Sequence, residues 1–109
     1  MEFKELFDEF QVACATYILN YKGETPRKDD IREVVKKLNS EMNEEEFNRV
    51  FRNTYKSGLI RVAELENEKT PLFEVSPVSK DVIEEVMEVI GYLEVKKEMK
   101  KEARLLVDV

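Results

Sequence analysis

Between residues 48 and 56 the chain places Asn48, Arg49, Arg52, Asn53 and Lys56 at successive intervals of one, three, one and three residues. On a helix that spacing makes one continuous polar and basic face. The chemistry such a face can perform is recognition of nucleic acid: Arg pairs with guanine, Asn with adenine, and the cations with phosphates. The ordinary reading of charges like these is a solvated helix face. Which reading holds depends on where the fold puts the helix.

Other reactive groups are few. His is absent and Cys14 is the single cysteine. Thiolate–imidazole zinc sites within one chain, and Cys–His or Ser–His–Asp catalysis, are therefore excluded. Cys14 falls in an apolar stripe, where a small buried hydrophobe is expected rather than a reactive thiol, and it cannot form an intrachain disulfide. Asp29 and Asp30 could in principle hold a metal ion, but they begin a helix, where acids are ordinary. There is no Gly-rich phosphate loop. The expectation is a protein with no catalytic residue, no metal and no cofactor, and not an enzyme.

The bulk composition narrows the choice further. The chain has 109 residues, the size of one domain, and is 42% hydrophobic and 39% charged. That is apolar enough for a packed core. The formal net charge is −6 and the sequence pI about 4.9, which excludes coating nucleic acid through bulk positive charge. By segment the charge is −2 for 1–22, 0 for 23–43, +1 for 44–61, −3 for 62–78 and −2 for 79–109. The polar face at 48–56 is thus spared. Acids among the first apolar residues are unlike a signal peptide, and no apolar run approaches transmembrane length. A cytoplasmic protein without membrane contact is expected.

The elements that position these residues can be read from periodicity. Phe3, Leu6, Phe7, Phe10, Ala13, Cys14, Tyr17, Ile18 and Tyr21 form one stripe of a helix of five turns, with Glu5, Asp8, Glu9 and Gln11 off it, ending at Gly23. Thr25-Pro26 marks a start, Thr as cap and Pro as first helical residue, for a helix over 26–38 bearing Ile31, Val34, Val35 and Leu38. Asn43 caps the next helix, over 43–57, with Glu46 three residues on as in a capping box and Met42 and Phe47 spaced as a hydrophobic staple. That helix buries Phe47, Val50, Phe51 and Thr54 or Tyr55, and stops at Ser57-Gly58. Leu59, Ile60, Val62 and Leu65 then alternate as in a half-buried strand, and Leu72, Phe73 and Val75 make a second; together they predict a β-hairpin. Ser79 can cap a last helix with Val82, Val86, Val89 and Leu93 at heptad spacing, widened by Ile83 and Ile90. Continuous over 78–106, this helix would be about 40 Å long, more than one small core needs.

The stretch MNEEEFNRVFRNTYKSGLIRV, within this order of elements, resembles winged helix-turn-helix regulators of the MarR, PadR and ArsR type, including small archaeal and archaeal-virus members. Met42 and Asn43 correspond to the turn hydrophobe and cap, Phe47 to an aliphatic, Arg49 to an Arg, and Gly58-Leu59-Ile60 to the exit into the wing. The resemblance covers roughly 25–75. The helix over 79–109, too long for one small core, is expected to dimerise, and the resemblance itself implies a mainly α fold with a small β-hairpin and a winged-helix domain over 1–78. It implies double-stranded DNA as partner, contacted by Asn48, Arg49, Arg52, Asn53 and Lys56, with Arg27 and Lys28 at the second helix and Lys69 in the wing. The dimer interface would use Val82, Val86, Val89, Ile90 and Leu93. Three features depart from the pattern: the stretch from Leu38 to Met42 is about two residues longer than the usual tight turn, Glu44, Glu45 and Glu46 open the reading helix, and Glu64, Glu66 and Glu68 surround the wing tip. They keep a second reading open, a winged-helix module that binds protein through its acidic wing.

Overall fold

Helix α1 (Asp8–Tyr21) is the element on which the others converge. In the computed structural model, which describes residues 1–90, it packs against helix α2 (Lys28–Leu38), helix α3 (Glu44–Lys56), strand β2 (Thr70–Val75) and helix α4 (Lys80–Val89). Strand β1 (Ile60–Asn67) completes an antiparallel pair with β2. The described chain is therefore mainly helical with a small two-stranded sheet.

The expectation of a single apolar stripe on the first helix is too narrow. Gln11, Val12, Ala13, Cys14, Ala15 and Thr16 are six consecutive buried residues, so this stretch is enclosed on every side. Small side chains at 13–15 let the neighbouring elements approach closely, and the Thr16 hydroxyl donates to the Val12 carbonyl (2.9 Å). Nor does the helix run unbroken from Phe3. Residues Phe3–Glu5 form one 3₁₀ turn, the chain extends at Leu6 and Phe7, and α1 starts at Asp8. The cause is Gln11, which is 1% exposed rather than off the stripe. Its amide donates to the Leu6 carbonyl (3.0 Å) and, more weakly, to that of Lys4 (3.4 Å). Phe3 enters the core, whereas Phe7 is 78% exposed.

The second helix starts later than predicted. Pro26 lies before the helix and is buried, and its carbonyl accepts from the Phe73 amide (2.8 Å) instead of opening a helix. The N-cap is Arg27, whose backbone N–H donates to the Asp30 carboxylate (3.0 Å). Ile31 and Val35 face the core. The turn to α3 is tied to α1, because the Asn39 amide donates to Gln11 Oε1 (2.9 Å) and Asn39 Oδ1 accepts from the Glu41 N–H (3.2 Å).

At α3 the predicted cap is present: Asn43 Oδ1 accepts from the Glu46 N–H (2.8 Å). The return half of the box is altered, since the Glu46 carboxylate accepts from the Asn43 side-chain amide (2.9 Å). Met42, Phe47, Val50, Phe51 and Thr54 are buried as the periodicity requires. Gly58, with φ +83°, takes the left-handed conformation that turns the chain out of the helix.

The hairpin has a two-residue tip, Glu68-Lys69, between paired Asn67 and Thr70. It is anchored mainly by β2: the Asn20 side chain accepts from the Val75 N–H (2.9 Å) and donates to the Phe73 carbonyl (3.3 Å). The Phe73 ring stands edge-on to Phe51, with centroids 4.9 Å apart. β1 departs from the predicted half-buried strand. Only Ile60 is buried, and Leu65 is 61% exposed. The physical reason is that β2 is the strand held against the body, with Phe73 buried beside Phe51, so β1 beyond Ile60 is left on the exposed side of the pair.

Ser79 belongs to a 3₁₀ turn (Pro77–Ser79) and makes no side-chain cap to α4. The core face of α4 is set by Ile83 and Met87, one turn apart and both buried; the heptad reading missed Met87. Val86 and Ile90 pack partly against the same core, and Tyr17 Oη donates to Glu84 (3.0 Å). Val82 and Val89 point outward, 47% and 57% exposed. Leu93, and the continuation of the helix beyond Gly91, lie outside the described residues.

Replacing Gln11 by Leu would leave the Asn39 amide and the Leu6 carbonyl without their partner. We expect a loss of about 1–3 kcal/mol in urea unfolding. Thr54→Val removes only a hydroxyl bonded to a helix carbonyl (2.7 Å) and should cost clearly less. Equal losses for the two variants would show that Gln11 does not hold the entry to α1.

Candidate nucleic-acid interface

The inward set of α3 dictates its outward one. With Phe47, Val50, Phe51 and Thr54 in the core, Asn48, Arg49, Arg52, Asn53 and Lys56 are all exposed on the opposite side. None of these five side chains makes a hydrogen bond or ion pair with a described residue; the polar contacts of the helix involve other side chains. Three cations and two amides thus share one solvent-facing surface with their bonding capacity unspent.

The three acids at the start of α3 are not equivalent. Arg32 Nη1 holds Glu44 at 3.1 Å, and its Nη2 reaches Asp29 at 3.3 Å. Glu46 is engaged with Asn43. Glu45 is exposed and has no partner among the described residues. Sequence reasoning overlooked Arg32. Its spacing of three from Asp29 was a visible signal, but the reach across the turn to Glu44 was not.

The remaining predicted contacts stand differently. The Arg27 guanidinium is bonded to Glu66 of β1. That hydrogen bond, with the charge of Glu66 and of the nearby Asp30 and Asp29, raises the Arg27 pKa above its ordinary value. Lys28 lies with its Nζ 5.3 Å from the centre of the Phe51 ring, a cation–π arrangement. Lys69 is at the tip of the hairpin, exposed, beside Glu68. So the five residues of α3 form one surface, Arg27 and Lys28 are partly engaged elsewhere, and Lys69 stands apart. On the hairpin, Arg61 Nε pairs with Glu74 across the strands (2.7 Å), while Glu64 and Glu68 are exposed.

No alternative chemistry is assembled elsewhere among the described residues. Asp29 and Asp30 are occupied by Arg32 and by the Arg27 backbone, and no group of three or more His, Cys, Asp or Glu could hold a metal ion. No described helix is long and apolar enough to cross a membrane. Cys14 is fully buried, and desolvation pushes its thiol from 9.0 up to about 12. A raised thiol pKa means the unfolded chain ionises first, so this residue's stabilising contribution is full below pH 9 and is lost as pH climbs towards 12. Accordingly, a thiol reagent at pH 8 should leave the native protein unlabelled and label one thiol in denaturant. Rapid labelling of the native protein would contradict the burial of Cys14.

Compared with known proteins, the chain matches no family model, no curated protein and no solved structure.

Proposed function

We propose that the chain is a sequence-specific, double-stranded DNA-binding transcriptional regulator of the winged helix-turn-helix type, acting in the cytoplasm as a homodimer. In this reading α2, the turn at 39–43 and α3 form the helix-turn-helix, and the β1–β2 hairpin is the wing. The observation that carries it is the outward face of α3. On a chain of net charge −6, that face gathers Arg49, Arg52 and Lys56 with Asn48 and Asn53, and no partner among the described residues neutralises them. A helix with its side chains is about 10–12 Å across, which matches a major groove about 12 Å wide. The acids of β1 disfavour phosphates around the wing, so the footprint is centred on the helix and sensitive to salt.

Dimerisation follows from α4. Val82 and Val89, seven residues apart, are exposed on the side away from the core, the spacing of a helix–helix seam. A two-fold pair would offer two copies of α3 to half-sites about 34 Å apart.

The exposed acids of β1 favour a second reading, a module that binds protein rather than DNA. A stoichiometric protein partner together with no DNA affinity would establish it over the first.

Gel shifts with duplexes drawn from around the chain's own gene test the DNA reading. Arg49→Ala and Arg52→Ala should each weaken binding by about 1–3 kcal/mol and lower the slope of log K against log salt. Arg27→Ala should have a smaller effect, because its guanidinium is engaged by Glu66. Absence of binding at low salt, or indifference to both α3 arginines, would overturn the reading.

For the dimer, Val82→Glu with Val89→Glu should convert it to a monomer in sedimentation without loss of helical signal. An unchanged sedimentation coefficient would place the interface elsewhere.

A further inference from the structure

Of the three acids at the start of α3, one lies on the helix's outward polar face. At about 100° per residue, Asn48, Arg49, Arg52, Asn53 and Lys56 occupy an arc of about 140°. Glu45 falls inside that arc, between the directions of Arg52 and Lys56, whereas Glu44 and Glu46 fall outside it. The contacts divide the three in the same way. Glu44 is held by Arg32 and Glu46 by Asn43; Glu45 is exposed and unpartnered among the described residues. Arg49 stands four residues on, the spacing of a helical ion pair, yet the two are not bonded. A free carboxylate therefore belongs to the polar face itself.

We infer that Glu45 is a specificity-determining residue of this face, selecting cytosine at the end of the footprint contacted by the start of α3. The inference rests on the reading of α3 as a major-groove helix. An ionised carboxylate only accepts hydrogen bonds. In the major groove, guanine presents the acceptors N7 and O6, and thymine presents O4. Adenine presents its N6 donor beside the acceptor N7. Cytosine alone presents a donor, N4, and no acceptor of its own. A carboxylate is thus matched to cytosine and opposed, to different degrees, by the other three bases. The same charge repels phosphates, so it weakens attachment to duplexes that do not offer the right base. Glu45 would act against loose electrostatic binding, and Arg49, Arg52 and Lys56 for attachment.

The amide variant gives a directional test, because Gln pairs with N6 and N7 of adenine. Wild type and Glu45→Gln, each as the full chain, are used to select from one randomised duplex pool, and the bound duplexes are sequenced. The wild type should enrich cytosine at one position of each half-site. Glu45→Gln should lose that preference by on the order of ten-fold, shift it towards adenine, and leave the other positions unchanged. It should also bind unselected duplex more tightly. The side chain is exposed and unpartnered among the described residues, and the circular dichroism of the variant should match the wild type. Enrichment of the same bases by both proteins would overturn the inference while leaving the DNA reading standing. Enrichment of no duplex by either protein would overturn both.

Discussion

The middle of α1, residues 11–16, is enclosed on every side and has no solvent face, and that constraint governs the rest of the structure. Its centre is built from Ala13, Cys14 and Ala15, so α2, α3, α4 and β2 can all pack against it. Such close packing admits polar groups only when they are paired. Gln11 meets that condition, and in doing so it fixes both the bend before α1 and, through Asn39, the turn between α2 and α3. Among the described residues, no buried side-chain polar atom lacks a partner. The orientation of α3, and so of its outward face, follows from this arrangement rather than from any interaction of the exposed residues.

The parts of this fold that were legible in sequence are those with strong local signals. Asn43 before a run of acids, and Gly58 after Lys56, mark the ends of α3, and the polar tip at 67–71 marks the hairpin. The candidate face was equally legible, because helical spacing alone determines which residues oppose Phe47, Val50 and Phe51. What could not be read came from tertiary contacts. Pro26 has the sequence of a helix start, but its carbonyl serves the Phe73 amide, a partner 47 positions away in the chain. Gln11 has the character of a surface residue and is buried because two carbonyls and Asn39 need it. On α4, heptad spacing drew attention to Val82 and Val89, whereas α1 accepts Ile83 and Met87.

Electrostatics at the surface is arranged by pairing as much as by composition. Arg32 and Asn43 engage Glu44 and Glu46, and Glu66 engages Arg27. Exposed pairs of this kind contribute little to stability. Their effect is to settle which charges remain available to an approaching molecule. Within the arc of its outward face, α3 presents Arg49, Arg52 and Lys56 with one carboxylate, that of Glu45, a balance that the overall charge of −6 does not convey.

The hairpin illustrates a different freedom. Register shifts between Val62 and Glu64, and again between Leu65 and Asn67, leave β1 two residues longer than the segment it pairs with. Bulges of this sort twist a ribbon and re-aim its side chains. Ile60 ties β1 into the core and Glu66 reaches Arg27 at the start of α2, whereas the other residues of the strand are exposed and can be changed with little demand on the helices. β1, rather than the core-anchored β2, is the part of this architecture most open to evolutionary remodelling, and a change of partner could arise there while α3 kept its own chemistry intact.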